Sequence, residues 1–192
     1  MSGSPRRILG LAGAPGAGKT TYAERLVAES AVPAAYLPMD GFHLADVALR
    51  RLGLLDRKGA PETFDAWGYA ALLRRVRTAR ETVWAPAFER DLEQPLAGAL
   101  AIEPGVELVV TEGNYLLLDR REWRAVRAQL DETWFLEVPE DVRRHRLVAR
   151  HVAFGKTQAQ AQAWVARVDD ANAALVAPGR DVADRVVGPA GE

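Results

Sequence analysis

The chain has 192 residues, 48% of them hydrophobic and 27% charged, with a formal net charge of −1, which is the length and composition of one ordinary domain with a buried core. So balanced a charge gives no electrostatic reason to expect nucleic acid or an anionic membrane as a partner. Cysteine is absent, which excludes disulfide frameworks, thiolate metal sites and cysteine nucleophiles together and suits a reducing compartment.

In chain order, the opening MSGSPRR is followed by only five apolar residues before a glycine-rich turn, too short for a signal-peptide core. No apolar run approaches the ~20 residues that span a bilayer, so a soluble cytoplasmic protein is expected. Ile8 to Ala12 reads as a first strand, and Ala23, Leu26 and Val27 stand at helical spacing after Thr20. Ala34 to Leu37 is a second strand, running into Asp40 and Gly41, where glycine is expected to let the chain turn. Tyr69, Leu72, Leu73 and Val76 form an i, i+3, i+4, i+7 stripe with Arg74, Arg75 and Arg77 outside it. Residues 55–65 and 84–105 hold the most Pro and Gly between elements and read as loops or small insertions at the mouth of a sheet, within substrate-side insertions at about 42–65 and 84–105. Val106 to Thr111, Thr133 to Val138 and Arg185 to Val187 complete the strands. Helices are expected at 140–154, closed by Gly155, and at 157–177, opened by a Thr157/Gln160 capping box. Near-continuous apolar strands separated by helices predict a parallel sheet covered on both faces, a three-layer α/β domain spanning 1–192. The five tryptophans, Trp67, Trp84, Trp123, Trp134 and Trp164, are expected in the core or in a pocket wall.

Residues 13–20, GAPGAGKT, match G-x-x-x-x-G-K-[ST] in full, between a strand and an amphipathic helix. A glycine turn that merely joins the two elements is the bland alternative, but a chance match is on the order of a percent at ordinary glycine content. The loop curls so that amide groups point at an anion, and the helix N-terminus adds its unpaired donors. Gly13, Ala14, Gly16, Ala17, Gly18, Lys19, Thr20 and Thr21 are therefore the expected nucleotide-binding residues, with Lys19 reaching the β- and γ-phosphates and Thr20 ligating Mg²⁺. No Asn-Lys-x-Asp guanine motif occurs.

Asp40 and Glu112 follow the second and third strands, as the loop follows the first. Ligands of open α/β sheets sit beyond the carboxyl ends of the strands, so the three motifs should converge on one crevice. Transfer of a phosphoryl group to an alcohol needs one carboxylate to take or orient the hydroxyl proton and another beside the metal. Glu112 is assigned to the metal and Asp40 to the base, against an Asx-turn reading of Asp-Gly and a capping reading of Glu112. Arg143, Arg146 and Arg150 share a helix face. Such a stripe is usually a solvated surface, but after the fourth strand it suits a lid that neutralises the transferring phosphoryl group. Arg146 and Arg150 are the catalytic candidates, and Arg143 the structural one. Asn172 interrupts the apolar stripe Ala161, Trp164, Val165, Val168, Leu175; it is either a satisfied core amide or one that faces substrate.

GAPGAGKT, MDGFH, KGAPETFD, TEGNYLLLD and RLVARH together resemble the uridine kinase, phosphoribulokinase and pantothenate kinase superfamily, from Ile8 to about Val187. The resemblance implies a five-stranded parallel sheet of order 2-3-1-4-5, a small helical lid at about 143–158, and ATP and Mg²⁺ as cofactors. It puts the catalytic base on Asp40 and a substrate loop at 86–95, bringing Phe88 and Arg90 near the acceptor. Lys58 of KGAPETFD, Asn114 of TEGNYLLLD and His43 join them as substrate-side candidates. Gly41 stands where uridine kinases usually carry the Ser of D-S-F or D-S-Y, and the substrate loop reads FER. The acceptor is therefore open among nucleoside, sugar and pantothenate-like hydroxyls. The reading is an ATP-dependent small-molecule kinase; the alternative is a regulatory or assembly ATPase that uses ATP as a switch. Expected partners are a small hydroxyl substrate, with no nucleic acid and no membrane, and the sequence allows a homodimer.

Overall fold

The computed structural model describes residues 5–188; Met1 to Ser4 of the segment read for a signal sequence, and both extremes of the expected 1–192 domain, lie outside them. Five strands, β1 (Arg7–Gly13), β2 (Ala34–Pro38), β5 (Leu108–Glu112), β6 (Glu132–Leu136) and β7 (Arg185–Val187), pair in parallel in the order β2-β5-β1-β6-β7. Counting parallel strands alone, this is the expected 2-3-1-4-5. The two intervening numbers belong to a separate antiparallel pair, β3 (Val83–Glu89) and β4 (Gln94–Ile102).

The two-residue period of β1 builds the layers. Ile8 and Ala12 join the core under α3 (Ala66–Thr78) and α4 (Arg121–Arg127), whereas Leu9 and Leu11 pack with Ala23, Leu26 and Val27 of α1 (Lys19–Ala28). Tyr69, Leu73 and Val76 of the expected stripe are fully buried, and Asp65 caps α3 by accepting from the Gly68 amide at 2.8 Å. Each methylene so removed from water contributes about 0.8 kcal/mol, which is what holds the helices on the sheet.

Three expectations narrow or change. Residues 84–105 form an inserted hairpin rather than a loop, the second of the two alternatives. Val83 and Ala85 are buried while Trp84 between them is exposed, so the strand alternation is present, but Pro86, Pro95 and Gly98 disguise it and a register shift falls between Ala85 and Ala87. Within 42–65 a short helix, α2 (Asp46–Leu52), forms and is closed by the left-handed Gly53. Trp67 and Trp84 are not core: they are 53% and 60% exposed, one at the start of α3 beneath the Arg121 guanidinium and the other on the outer face of the hairpin.

The lid follows β6. α5 (Glu140–Ala153) runs as expected, with Gly155 left-handed just beyond it. The 157–177 helix opens with the Thr157/Gln160 capping box but is not uniform: α6 (Gln158–Trp164) passes through a wider π-turn, Val165–Asp169, into α7 (Asp170–Val176). No helix among the described residues is long and apolar enough to cross a membrane.

Candidate active site

Strand register decides what meets at the carboxyl edge of the sheet. Glu112 pairs with Leu11 on one side and Pro38 on the other, so the loop after β1, the turn after β2 and the end of β5 face a common cavity of about 630 Å³. Gly16, Gly18, Lys19, Thr20 and Thr21 line it from the loop. Asp40 and His43 line it from the turn after β2, Lys58 from the segment after α2, and Phe88 and Arg90 from the hairpin; Glu112 and Asn114 come from the end of β5 and just beyond it, Arg146 and Arg150 from α5, and Asn172 from α7. Of the residues expected in the nucleotide loop, Gly13, Ala14 and Ala17 do not line it. Ala14 and Ala17 border a separate cleft beneath the loop, and the Ala17 amide donates to the Ala14 carbonyl at 3.2 Å. The loop's own turn uses that donor.

The Lys19 ammonium is buried, donating to the Ala14 carbonyl at 3.0 Å and to Asn114 Oδ1 at 2.6 Å. Burial pulls its pKa below the usual lysine range, opposed by the Glu112 and Asp40 carboxylates. Burial likewise pushes the Glu112 carboxyl up, against the Lys19 charge. Two hydroxyls donate to Glu112 Oε1: Thr20 at 3.1 Å and Tyr36 at 2.7 Å. Burial and the Glu112 charge raise the Tyr36 phenol far above its ordinary value, so it remains a donor.

Asp40 sits one turn beyond β2, in a short 3₁₀ segment, Met39–Phe42. Arg90 lies 3.4 Å from its Oδ2. Gly41 is not left-handed. It is needed because a Cβ there would lie 2.3 Å from the Pro86 carbonyl oxygen, so the role expected of it, conformational freedom, gives way to close backbone approach. His43 Nδ1–H donates to the Asp40 carbonyl at 2.8 Å, and its ring packs between Phe64 and Phe88 at 3.9 and 4.8 Å. Burial pushes its pKa below the ordinary imidazole value, with the Asp40 charge opposing. The unfolded chain therefore takes up this proton first as pH falls through about 6.5, so His43 contributes stability above that pH and loses it below. The urea midpoint should drop between about pH 7.5 and about pH 5.5, and His43→Gln should flatten that part of the slope.

On the lid, Arg143 is buried and ion-pairs with Asp170 of α7, which anchors the lid. Arg146 reaches over the loop to the Ala17 carbonyl at 3.1 Å. One face thus divides between a structural arginine and two that line the cavity. Asn172 is half-buried and lines the cavity, and its side chain makes no hydrogen bond among the described residues. Sequence reasoning did not single out Tyr36, Phe64, His151 or Asp169. Tyr36 carries no motif of its own and acquires its place from the pairing of β2 with β5, and Asp169 is brought to the site by the π-turn.

The model of the Phosphoribulokinase / Uridine kinase family matches residues 8–191. The Escherichia coli K12 protein YggC, of uncharacterised function, is 37% identical over 172 residues, covering 87% of this chain and 71% of that one. A Schizosaccharomyces pombe protein, provisionally named uridine kinase C227.14, is 34% identical, covering 78% and 68%. Among solved structures, a Silicibacter sp. TM1040 protein with the provisional name fructose transport system kinase superposes with a TM-score of 0.88 at 39% identity, covering 95% of this chain and 90% of its own.

Proposed function

We propose, from the premise that this chain belongs to the Phosphoribulokinase / Uridine kinase family and is an ATP-dependent phosphotransferase with an alcohol acceptor, that Asp40 activates the hydroxyl of a small metabolite for in-line attack on the γ-phosphoryl group of ATP. The observation that carries it is the convergence of Lys19, Thr20, Asp40, Glu112 and Arg150 on one cavity from four separate stretches of chain. The loop and Lys19 hold the phosphates; Asp40 accepts the hydroxyl proton; Arg146 and Arg150 offset charge on the transferring group as the lid closes over it. Lys58, Phe88, Arg90, His43, Asn114 and Asn172 bound the acceptor. Residues 1–192 act as one catalytic unit in the cytoplasm. A switch ATPase has no use for Asp40 at this place and is not favoured.

The site suits Mg²⁺. No group of three or more His, Cys, Asp or Glu side chains is gathered for a metal among the described residues, yet the Thr20 hydroxyl and Glu112 carboxylate stand together beside the phosphate loop. That sparse oxygen set fits an ion that keeps most of its waters and is shared with substrate phosphates. When bound, Mg²⁺ supplies charge neutralisation at the β- and γ-phosphates. Thr20 and Glu112 would hold it, and Tyr36 orients Glu112. Tyr36→Phe should raise the Mg²⁺ concentration for half-maximal binding by about tenfold, read by titrating the ADP-bound protein as well as by rate.

A screen of small hydroxyl compounds for acceptor-dependent ADP release, with Mg²⁺-ATP as donor, tests the reading. Release that no hydroxyl compound stimulates and that Asp40→Asn leaves unchanged would point to the switch instead.

A further inference from the structure

We infer that Asp169 and His151, together with Asn172, form an acceptor-recognition wall on the lid, and that the acceptor is an uncharged, sugar-like polyol; this rests on the kinase reading above. All three line the cavity, as do Phe88 and Arg90 of the hairpin. Asp169 is buried on the π-turn, with His151 Nε2 of α5 at 2.9 Å from its Oδ2. Its other carboxylate oxygen and His151 Nδ1 make no hydrogen bond among the described residues. Neither atom is sealed away from the cavity, since the buried side-chain polar atoms without a partner among the described residues are Trp123 Nε1 and Arg143 Nη1, and π-turns inside helices are frequent at functional positions. Here the turn lets Val165 and Asp169 both be buried while Trp164 and Val168 border the cavity.

The chemistry of the lining selects the ligand class. The cations on the acceptor side already have partners. Lys58 donates to Asp46 Oδ1 at 2.8 Å and to the Glu93 carbonyl, Arg90 faces Asp40, and Lys156 stacks over the Trp164 ring at 4.9 Å. Arg146 and Arg150 are assigned above to the transferring phosphoryl group, so an anionic acceptor would have to compete with Asp46, Asp40 or the Trp164 ring for a cation, whereas an uncharged one does not. A flat base would need a slot between parallel rings. The His43 ring fills the space between Phe64 and Phe88, tilted 43° and 48° to them. What remains is a carboxylate oxygen, an imidazole nitrogen and an amide, facing an aromatic cluster. Adjacent hydroxyls donate to the first two and accept from the third, while the C–H face of a polyol packs on the rings.

The test uses the full-length protein with D-fructose, D-ribose, uridine, D-pantothenate and D-glycerate as probes, and reads ADP release, ATP binding and thermal midpoint. A sugar should be the best acceptor. Asp169→Asn and His151→Gln should each raise its KM about 10- to 100-fold, the scale of a hydrogen bond to a charged group, with kcat and ATP affinity nearly unchanged. A merely structural pair would instead lower the thermal midpoint and leave the KM-to-kcat balance alone. Preference for uridine, D-pantothenate or D-glycerate, with Asp40 still required, overturns the wall and its ligand class but leaves the kinase reading standing. No transfer to any sugar overturns it as well, and transfer to a sugar that does not need Asp40 overturns the catalytic reading instead.

Discussion

Asp40→Asn is expected to lower turnover by roughly a thousandfold while ATP still binds, the scale on which a positioned general base contributes. The amide is isosteric, so the cavity keeps its shape, and the Lys19 ammonium of the phosphate loop is held by the Ala14 carbonyl and Asn114 rather than by a hydrogen bond to Asp40. The substitution removes the proposed proton acceptor and the charge that faces Arg90 at 3.4 Å. Nucleotide titration together with single-turnover transfer to the acceptor found by screening separates the two effects. Near-normal transfer by the variant would move the base elsewhere.

Gly41→Ala should act on stability and turnover at once. The added methyl would lie 2.3 Å from the Pro86 oxygen, 2.7 Å from its carbonyl carbon and 3.1 Å from the Ala87 nitrogen. These are backbone atoms, and a rotamer change cannot clear them. Either the hairpin or the Met39–Phe42 turn must shift, costing about 1–3 kcal/mol of overpacking. A shift of about 1 Å at the neighbouring Asp40 carboxylate costs on the order of 100-fold in rate. Urea unfolding and kcat measured on the same preparation check both. A variant that is as stable and as active as the parent would mean that the hairpin packs loosely over the turn.

Much of the site was legible because its chemistry is local. GAPGAGKT needs its glycines, lysine and threonine in sequence, since one continuous loop must wrap one anion. Asp40 and Glu112 were legible because both follow apolar strands, and parallel strands deliver their carboxyl ends to one edge. The lid arginines followed from helical spacing, though only the packing distinguishes Arg143, tied to Asp170, from Arg146, which reaches the loop. The hairpin was not legible: its prolines and short alternation imitate a loop, and strand pairing depends on the partner strand. Tyr36 and Asp169 were not legible because their roles are contacts with residues 76 and 18 positions away.

The sequence by itself determined the layered α/β class, the phosphate loop and the two acidic strand ends, because periodicity and contiguous motifs are properties of neighbouring residues. Only the tertiary structure decided why residue 41 must be glycine, which phenol steadies Glu112, and which groups of the helices after β6 line the cavity. Those depend on close approach between segments far apart in the chain, where steric exclusion and the cost of burying an unpartnered charge choose among residues that look alike in sequence.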